Sequence, residues 1–171
     1  MKFSTRARYA LRMMVELTRE LQKDNLVHLG KIAKVTGLSV NYLAQLAMPL
    51  KNAGLLIGVS GKKGGYQLGR EPSQIRVNEI LEAVQGPTGL TDCVNNPDIC
   101  LNSPFCETRM VWTIASYRMT EVFNEFTLAD LTDRASIDEI KTKYAHIALL
   151  NPDEYMAGGN DGQLCPTNTK R

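Results

Sequence analysis

Apolar side chains in the first part of the chain recur at steps of three and four residues, which predicts amphipathic helices. The first predicted helix covers residues 5–22, and a shorter second helix ends at Gly37, where a left-handed cap favours glycine. Ser39 is expected to cap a third helix over residues 40–53, which Pro49 should bend without abolishing. Two helices joined by a short glycine-containing turn form the helix-turn-helix pattern.

A change to alternating apolar positions then predicts a β-hairpin. Two short extended runs, residues 55–59 and 66–68, flank a tip of glycine and lysine over residues 61–65. A hairpin directly after the second helix of a helix-turn-helix is a wing. Helical spacing returns in residues 75–84, which predicts a short helix after the wing.

The rest of the chain combines a long loop with further helices. Residues 86–106 are rich in Gly, Pro, Asn and Asp, and a loop of this length in a compact domain is usually functional or disordered. A long amphipathic helix is expected over residues 107–126, followed by two shorter helical segments capped by Thr127 and Ser136. The Gly-, Asn- and Pro-rich end of the chain predicts a flexible tail.

The predicted fold class is mainly α with a small β wing, a winged helix-turn-helix joined to a long helix. The pattern divides the chain into four parts: a winged helix-turn-helix DNA-binding domain over residues 1–85, a cysteine loop over residues 86–106, the long helix with the C-terminal helices over residues 107–150, and a flexible tail over residues 151–171.

Charge is distributed unevenly along the chain. Residues 1–89 hold 13 Lys and Arg against 6 Asp and Glu, a difference of +7, whereas residues 90–171 hold 7 against 12, a difference of −5. A basic half beside an acidic half indicates a module that binds a polyanion, joined to a part with another role.

The side chains predicted to meet DNA lie on the third helix, in the wing and at the start of the first helix. N-terminal residues of a recognition helix contact base edges, where Asn and Gln pair with adenine, Ser contacts most bases, and Ala44, if it points outward, can touch a thymine methyl. Basic side chains elsewhere suit phosphates or the minor groove. The predicted DNA-binding residues are Lys2, Arg6, Arg8, Ser39, Asn41, Tyr42, Gln45, Lys51, Ser60, Lys62 and Lys63.

Three cysteines in the cysteine loop, Cys93, Cys100 and Cys106, form a C-x6-C-x5-C pattern. Soft thiolates select zinc, copper(I) or iron–sulfur clusters. The two-residue spacing of zinc knuckles is missing, so zinc is less favoured. Spacing alone leaves a cluster, another metal, redox thiols and unrelated cysteines open, and Cys165 stands apart in the tail.

The stretches described above resemble the IscR/NsrR family of bacterial winged-helix repressors. The resemblance covers about residues 1–134 and depends most on the wing together with the cysteine triplet. The matching text is Arg8-Tyr9-Ala10, Gly37-Leu38-Ser39, Tyr42-Leu43, Leu50-Lys51-Asn52-Ala53-Gly54-Leu55, Gly64-Gly65-Tyr66-Gln67-Leu68-Gly69, Ile75-Arg76-Val77-Asn78-Glu79-Ile80, the three cysteines, Trp112 and Thr127-Leu128.

The resemblance implies a homodimer in which residues 107–150 contain the dimerisation helix and the C-terminal helices. Such a dimer would present two recognition helices to a palindromic operator in double-stranded DNA. The resemblance also implies that the three cysteines bind an iron–sulfur cluster, 2Fe–2S or 4Fe–4S, whose state changes DNA affinity. Arg109 stands where IscR has a histidine three residues after its third cysteine, so the resemblance supplies no fourth ligand. Ala44 replaces a glutamate and Ser60 replaces an arginine, so the operator sequence does not transfer.

The sequence therefore predicts a repressor, or a regulator that both represses and activates. The state of an iron–sulfur cluster would set its operator affinity, and the cluster would sense cluster status, iron, nitric oxide or oxidants. The alternative is a cluster-free repressor controlled by thiol redox state or by a partner protein. No Ser-His-Asp set, phosphate-binding glycine loop or paired-carboxylate site is found, so an enzyme is not expected.

The expected location is the cytoplasm, with no membrane partner. No apolar run approaches the roughly 18 residues that span a bilayer. Residues 1–21 carry four arginines and lack an unbroken apolar core, so a signal peptide is not expected. Cysteines in the cytoplasm stay reduced, which favours metal or redox chemistry over structural disulfides.

Overall fold

The computed structural model of the protein describes residues 4–61, 64–100 and 105–147. This part of the chain forms eight helices and one two-stranded antiparallel sheet, which confirms the predicted fold class. In chain order the elements are α1 (Thr5–Leu21), α2 (Leu29–Thr36), α3 (Val40–Asn52), β1 (Leu56–Val59), β2 (Gly65–Leu68), α4 (Val77–Gln85), α5 (Asp92–Asn95), α6 (Glu107–Glu125), α7 (Leu128–Thr132) and α8 (Arg134–Lys143).

Helix α1 lies at the centre of the winged domain and packs against α2, α3 and α4. It begins after Ser4, whose side-chain oxygen accepts a hydrogen bond from the Ala7 N–H at 3.1 Å. One face of α1 is fully buried, because apolar residues at helical spacing all point into the core. The residues of this face are Ala7, Ala10, Met13, Met14 and Leu17.

The helix-turn-helix forms as predicted. Gly37 ends α2 in the left-handed conformation, with φ at 72°. The Ser39 hydroxyl caps α3 by accepting a hydrogen bond from the Tyr42 N–H at 3.2 Å. Helix α3 continues through Pro49, so the element is retained as expected. Its inner face consists of Leu43, Leu46, Ala47 and Leu50, all buried.

The wing is a hairpin of β1 and β2, with Leu56 opposite Leu68. A third segment joins it, because Val27 exchanges two backbone hydrogen bonds with Tyr66, at 3.0 and 2.9 Å. A Cβ at Gly65 would lie 3.0 Å from the Val27 carbonyl oxygen, so this close pairing favours glycine. The wing is therefore attached to the segment that precedes α2 as well as to α3.

The winged domain connects to the following helices through main-chain hydrogen bonds. The Val77 N–H donates to the Phe126 carbonyl at 2.9 Å, and the Leu128 N–H donates to the Ile75 carbonyl at 3.0 Å. We call this pair of bonds the joint. It holds the start of α4 against the chain between α6 and α7, so the end of the long helix is fixed to the winged domain.

Two features of the second half differ from the sequence prediction. The cysteine loop contains helix α5 and a 3-10 turn over Pro97–Ile99, so it is not without regular structure. Asp133, not Ser136, caps α8, since the Asp133 carboxylate accepts from the Ser136 N–H at 2.8 Å. The prediction of Ser136 as the cap is therefore wrong, and α8 starts at Arg134.

The predicted tail, residues 151–171, lies outside the described residues, and so does Cys165 within it. Among the residues that the structure describes, no helix combines the length and the apolar character needed to cross a membrane.

Candidate nucleic-acid interface and cysteine loop

Helix α3 presents one exposed stripe that carries no charge in the first two turns. Asn41, Ala44, Gln45 and Met48 are all exposed and follow each other at three- and four-residue spacing. We call these four residues the reading stripe. Ser39 is exposed at the start of the same helix, and its capping bond uses its oxygen as acceptor, which leaves the hydroxyl hydrogen available.

Tyr42, also predicted to read bases, takes part in packing. Its half-buried ring meets the Tyr9 ring edge-on, with centroids 6.0 Å apart and planes at 88°. Burial raises the pKa of Tyr42, so its hydroxyl stays protonated at neutral pH. The Arg8 guanidinium lies 5.8 Å from the centroid of the Tyr9 ring. Tyr42 therefore links the recognition helix to the start of α1.

The predicted phosphate-contacting side chains of the described residues surround this helix. Arg6 and Arg8 are exposed in the first turn of α1. Lys51 is exposed near the end of α3 and runs along β1, with its Nζ 3.4 Å from the place a Cβ at Gly58 would take. Lys51 and Ser60 line a cleft of about 420 Å³ between the wing and the start of α2.

Lys2, Lys62 and Lys63 lie outside the described residues. Their predicted part in DNA binding therefore depends on their charge and their position in the sequence alone.

The three cysteines of the cysteine loop have different surroundings and are free thiols. Cys93 is half-buried in α5, with its Sγ 3.2 Å from the Thr91 hydroxyl. Cys106 is half-buried at the start of α6, with its Sγ 3.1 Å from the Thr108 hydroxyl. Cys100, between them, is exposed.

The donor chemistry of these residues fits an iron–sulfur cluster, since cysteine thiolates are the usual cluster ligands. Hydrogen bonds from the Thr108 hydroxyl and the Arg109 backbone N–H lower the pKa of Cys106, which favours the thiolate that a metal binds. Among the described residues, no three side chains of His, Cys, Asp or Glu are gathered into a metal-binding group. The positions of the described residues therefore do not identify a fourth ligand for a cluster.

Two side chains that the sequence analysis did not select attach the cysteine loop to α6. Arg109 donates from Nε to the Cys93 carbonyl at 2.9 Å. Ser116 is 3% exposed, accepts from the Leu90 N–H at 3.0 Å and donates to the Trp112 carbonyl at 2.7 Å. The position of Ser116 as a polar residue on a helix rich in apolar residues could have indicated a structural role for it. In the sequence, Arg109 stood out only because it replaces the histidine of IscR.

Most apolar side chains of α6 are uncovered in the single chain. Of its 19 residues, all within the described part of the protein, only Ser116 is buried. The large apolar side chains exposed on this helix are Met110, Val111, Trp112, Ile114, Tyr117 and Val122.

A winged helix-turn-helix with an exposed recognition helix, joined to a long helix, defines a class of winged-helix regulators. The profile of the Rrf2 family, described as iron-dependent transcriptional regulators, matches residues 3–134. The chain belongs to the Rrf2 family. Members of this family are transcriptional regulators and not enzymes, so the protein is a transcriptional regulator.

The relatives include two kinds of regulator. The HTH-type transcriptional regulator IscR of Vibrio atlanticus is 34% identical over 156 residues, which cover 85% of this chain and 89% of that protein. The structure of IscR from T. potens has a TM-score of 0.62 and 29% identity, covering 95% of this chain and 94% of its own. The structure of CymR, the global cysteine regulator of B. subtilis, has a TM-score of 0.63 and 33% identity. The match covers 77% of this chain and 96% of the CymR chain.

Proposed function

We propose that the protein is a homodimeric repressor that binds a palindromic operator and loses or gains affinity with the state of an iron–sulfur cluster. The observation that carries the DNA-binding part is the exposed reading stripe on α3, beside a wing and a set of basic side chains. A helix of this kind fits the major groove with its first turns against base edges. Lys51 and Ser60 line the cleft beside the wing and would contact the DNA backbone, and the charges of Lys62 and Lys63 suit the same role.

The uncovered apolar face of α6 supports the homodimer. Exposed contiguous apolar surface is uncommon on a protein that works alone. A second copy of α6 packed on this face would remove Val111 and Ile114, each more than half exposed, from water. Two-fold symmetry of such a pair matches the symmetry of a palindromic operator.

Cys93, Cys100 and Cys106 would hold the cluster in this proposal. When bound, the cluster supplies a redox-sensitive and iron-dependent group whose loss releases the cysteine thiolates. Cys106 stands at the start of α6, where Arg109 binds the Cys93 carbonyl, and Ser116 attaches the cysteine loop to the middle of the helix. The joint stands at the other end of α6. A change at the cysteines can therefore alter the position of the two DNA-binding domains.

An anaerobic preparation tests the cluster directly. The wild-type protein should be coloured, with visible absorbance and matching counts of iron and sulfide. The triple substitution Cys93→Ser, Cys100→Ser and Cys106→Ser should be colourless. Cys165→Ser, a cysteine outside the loop, is the matched control and should keep the spectrum. A colourless, iron-free wild type from oxygen-protected cells would contradict the cluster.

A cluster-free repressor controlled by thiol oxidation or by a partner protein is the second candidate. The likeness to CymR favours it, because CymR matches this fold as well as IscR does. The exposed thiol of Cys100 is also open to oxidants. Mapping of thiol states after mild oxidation, together with metal analysis of the same sample, distinguishes the two candidates. Oxidation that changes operator affinity in iron-free protein would favour the second.

DNA binding has its own test. The full-length protein should retard a promoter fragment, and affinity should fall steeply with salt because phosphate contacts release counterions. Absence of any salt-sensitive binding to every fragment of a promoter pool would contradict both candidates.

A further inference from the structure

The reading stripe has a chemical bias that the proposed function leaves open. Its exposed side chains are two carboxamides, Asn41 and Gln45, and two apolar groups, Ala44 and Met48. A carboxamide offers a donor and an acceptor side by side, which matches the N7 acceptor and N6 donor of adenine in the major groove. Arginine and lysine, which read guanine, and carboxylates, which accept from cytosine, are missing from the stripe.

Met48 adds an apolar group to the exposed side of the reading stripe. This side chain is 64% exposed, although methionine is among the residues most often buried. Ala44 is exposed one helical turn before it. The apolar group that the major groove offers is the C5 methyl of thymine. Since thymine pairs with adenine, the two apolar residues and the two carboxamides of the stripe suit the same base pair, A·T.

We propose that the reading stripe selects an uninterrupted block of A·T base pairs in each operator half-site. Asn41 and Gln45 contact adenine, and Ala44 and Met48 contact thymine methyls. This inference rests on the proposed DNA-binding function. A helix rises about 1.5 Å per residue and duplex DNA about 3.4 Å per base pair, so the stripe spans about three or four base pairs.

Selection from a randomised duplex pool tests the base preference with the full-length protein. Bound sequences should contain two symmetric half-sites, each with an A·T block of about three or four pairs, as the helix length implies. Guanine or cytosine selected throughout the block would overturn the inference and leave the DNA-binding function intact. A protein that selects no sequence and retards no duplex would overturn both.

Base analogues in a selected operator assign the contacts. Deoxyuridine in place of thymine removes only the methyl, and it should weaken wild-type binding at one or more block positions. Met48→Ala should remove that sensitivity at one position. Replacement of adenine by 7-deazaadenine removes the N7 acceptor and should weaken wild-type binding about 2- to 10-fold, the value of one hydrogen bond. Asn41→Ala should lose this discrimination.

Lys51→Ala is the matched control on the same helix. Because Lys51 is predicted to contact phosphate, its removal should weaken binding alike for all sequences and leave the base preference unchanged. Folding of each variant is checked by its thermal unfolding. If Asn41→Ala and Met48→Ala bind with the wild-type base preference at every block position, the stripe does not select the base pairs and the inference fails.

Discussion

The winged domain and the chain that follows it differ in where they place their apolar side chains. Among the described residues, 19 of the 20 buried hydrophobic residues lie between Ala7 and Val84, and Leu128 is the exception. Nine of the 14 exposed large hydrophobic residues lie between Ile99 and Ile147. The winged domain thus contains its own hydrophobic core, whereas most large apolar side chains of α6 are exposed in the single chain.

This difference separates the two tasks of the regulator. A domain with a complete core holds a recognition helix in one orientation, which base reading requires. In the proposed dimer a second copy would cover the exposed face of α6, and the surroundings of this helix would change with the state of the cysteine loop. The four substitutions below test this division, from the largest expected effect to the smallest.

Removing a core side chain from the winged domain should have the largest effect on stability. Leu50 is fully buried on the inner face of α3. Leu50→Ala should lower the free energy of unfolding by about 2–5 kcal/mol, because a cavity adds to the lost transfer energy. Urea denaturation followed by circular dichroism measures the change. Met48→Ala, on the exposed side of the same helix, should change it by less than about 0.5 kcal/mol. Equal losses would contradict the described packing.

A charge on the uncovered face of α6 should act on assembly and not on the winged domain. Ile114 is 55% exposed in the single chain. Ile114→Asp should weaken self-association at least about 10- to 100-fold, since losing one buried aliphatic side chain costs about 1.5–3 kcal/mol. Light scattering with size-exclusion chromatography gives the molar mass. Glu139→Gln, on α8, is a surface control. A dimer dissociation constant equal to that of the wild type, measured over a dilution series, would show that the dimer uses another face.

The attachment of the cysteine loop to α6 should respond to loss of a single hydroxyl. Ser116→Ala removes the acceptor of the Leu90 N–H and should cost about 1 kcal/mol, the usual net value of a hydrogen bond. Hydrogen exchange should rise within residues 86–100, while exchange in α1 stays unchanged. Ser73→Ala, an exposed serine of the winged domain, is the control. Unchanged protection of the loop would mean that Ser116 does not hold it.

The smallest effect concerns pH. Hydrogen bonds from Lys31 and Lys23 lower the pKa of Glu20 below its ordinary value of 4.5. A carboxylate of this kind stabilises the folded state above its unfolded pKa, and the contribution is lost as pH falls through its folded pKa. Urea midpoints should therefore drop as pH falls below the ordinary pKa of 4.5, and Glu20→Gln should reduce that drop. Glu82→Gln, an exposed glutamate of α4, should follow the wild type. An unchanged pH profile in Glu20→Gln would contradict this role.

The winged domain was predictable because its signals are local. Ser39 is a capping residue followed by apolar positions at helical spacing, and Gly37 has the conformation that favours glycine. Each of these features depends on a few neighbouring residues, so the helices, the wing and the exposed Asn41 and Gln45 of α3 could be predicted from the sequence. The exposed Met48 was not among the predicted residues. The partial burial of Tyr42 against Tyr9 was not foreseen, because that contact joins helices 33 positions apart.

The cysteine loop was less predictable because long-range bonds position it. Helix α5 has only four residues, too few to show a period. The Arg109 contact with the Cys93 carbonyl joins residues 16 positions apart, and the Leu90 contact with Ser116 joins residues 26 apart. Asp133 and Ser136 are both good capping residues three positions apart, so sequence alone did not choose between them.

The joint has a consequence for how such regulators diversify. Val77 and Leu128 are each the first residue of a helix, where the backbone N–H has no acceptor within its own helix. Both bonds of the joint use these spare amides and main-chain carbonyls. Side-chain exchanges over evolutionary time therefore leave the mechanical connection intact. One inherited linkage can then serve descendants whose sensing chemistry, at the far end of α6, has been replaced.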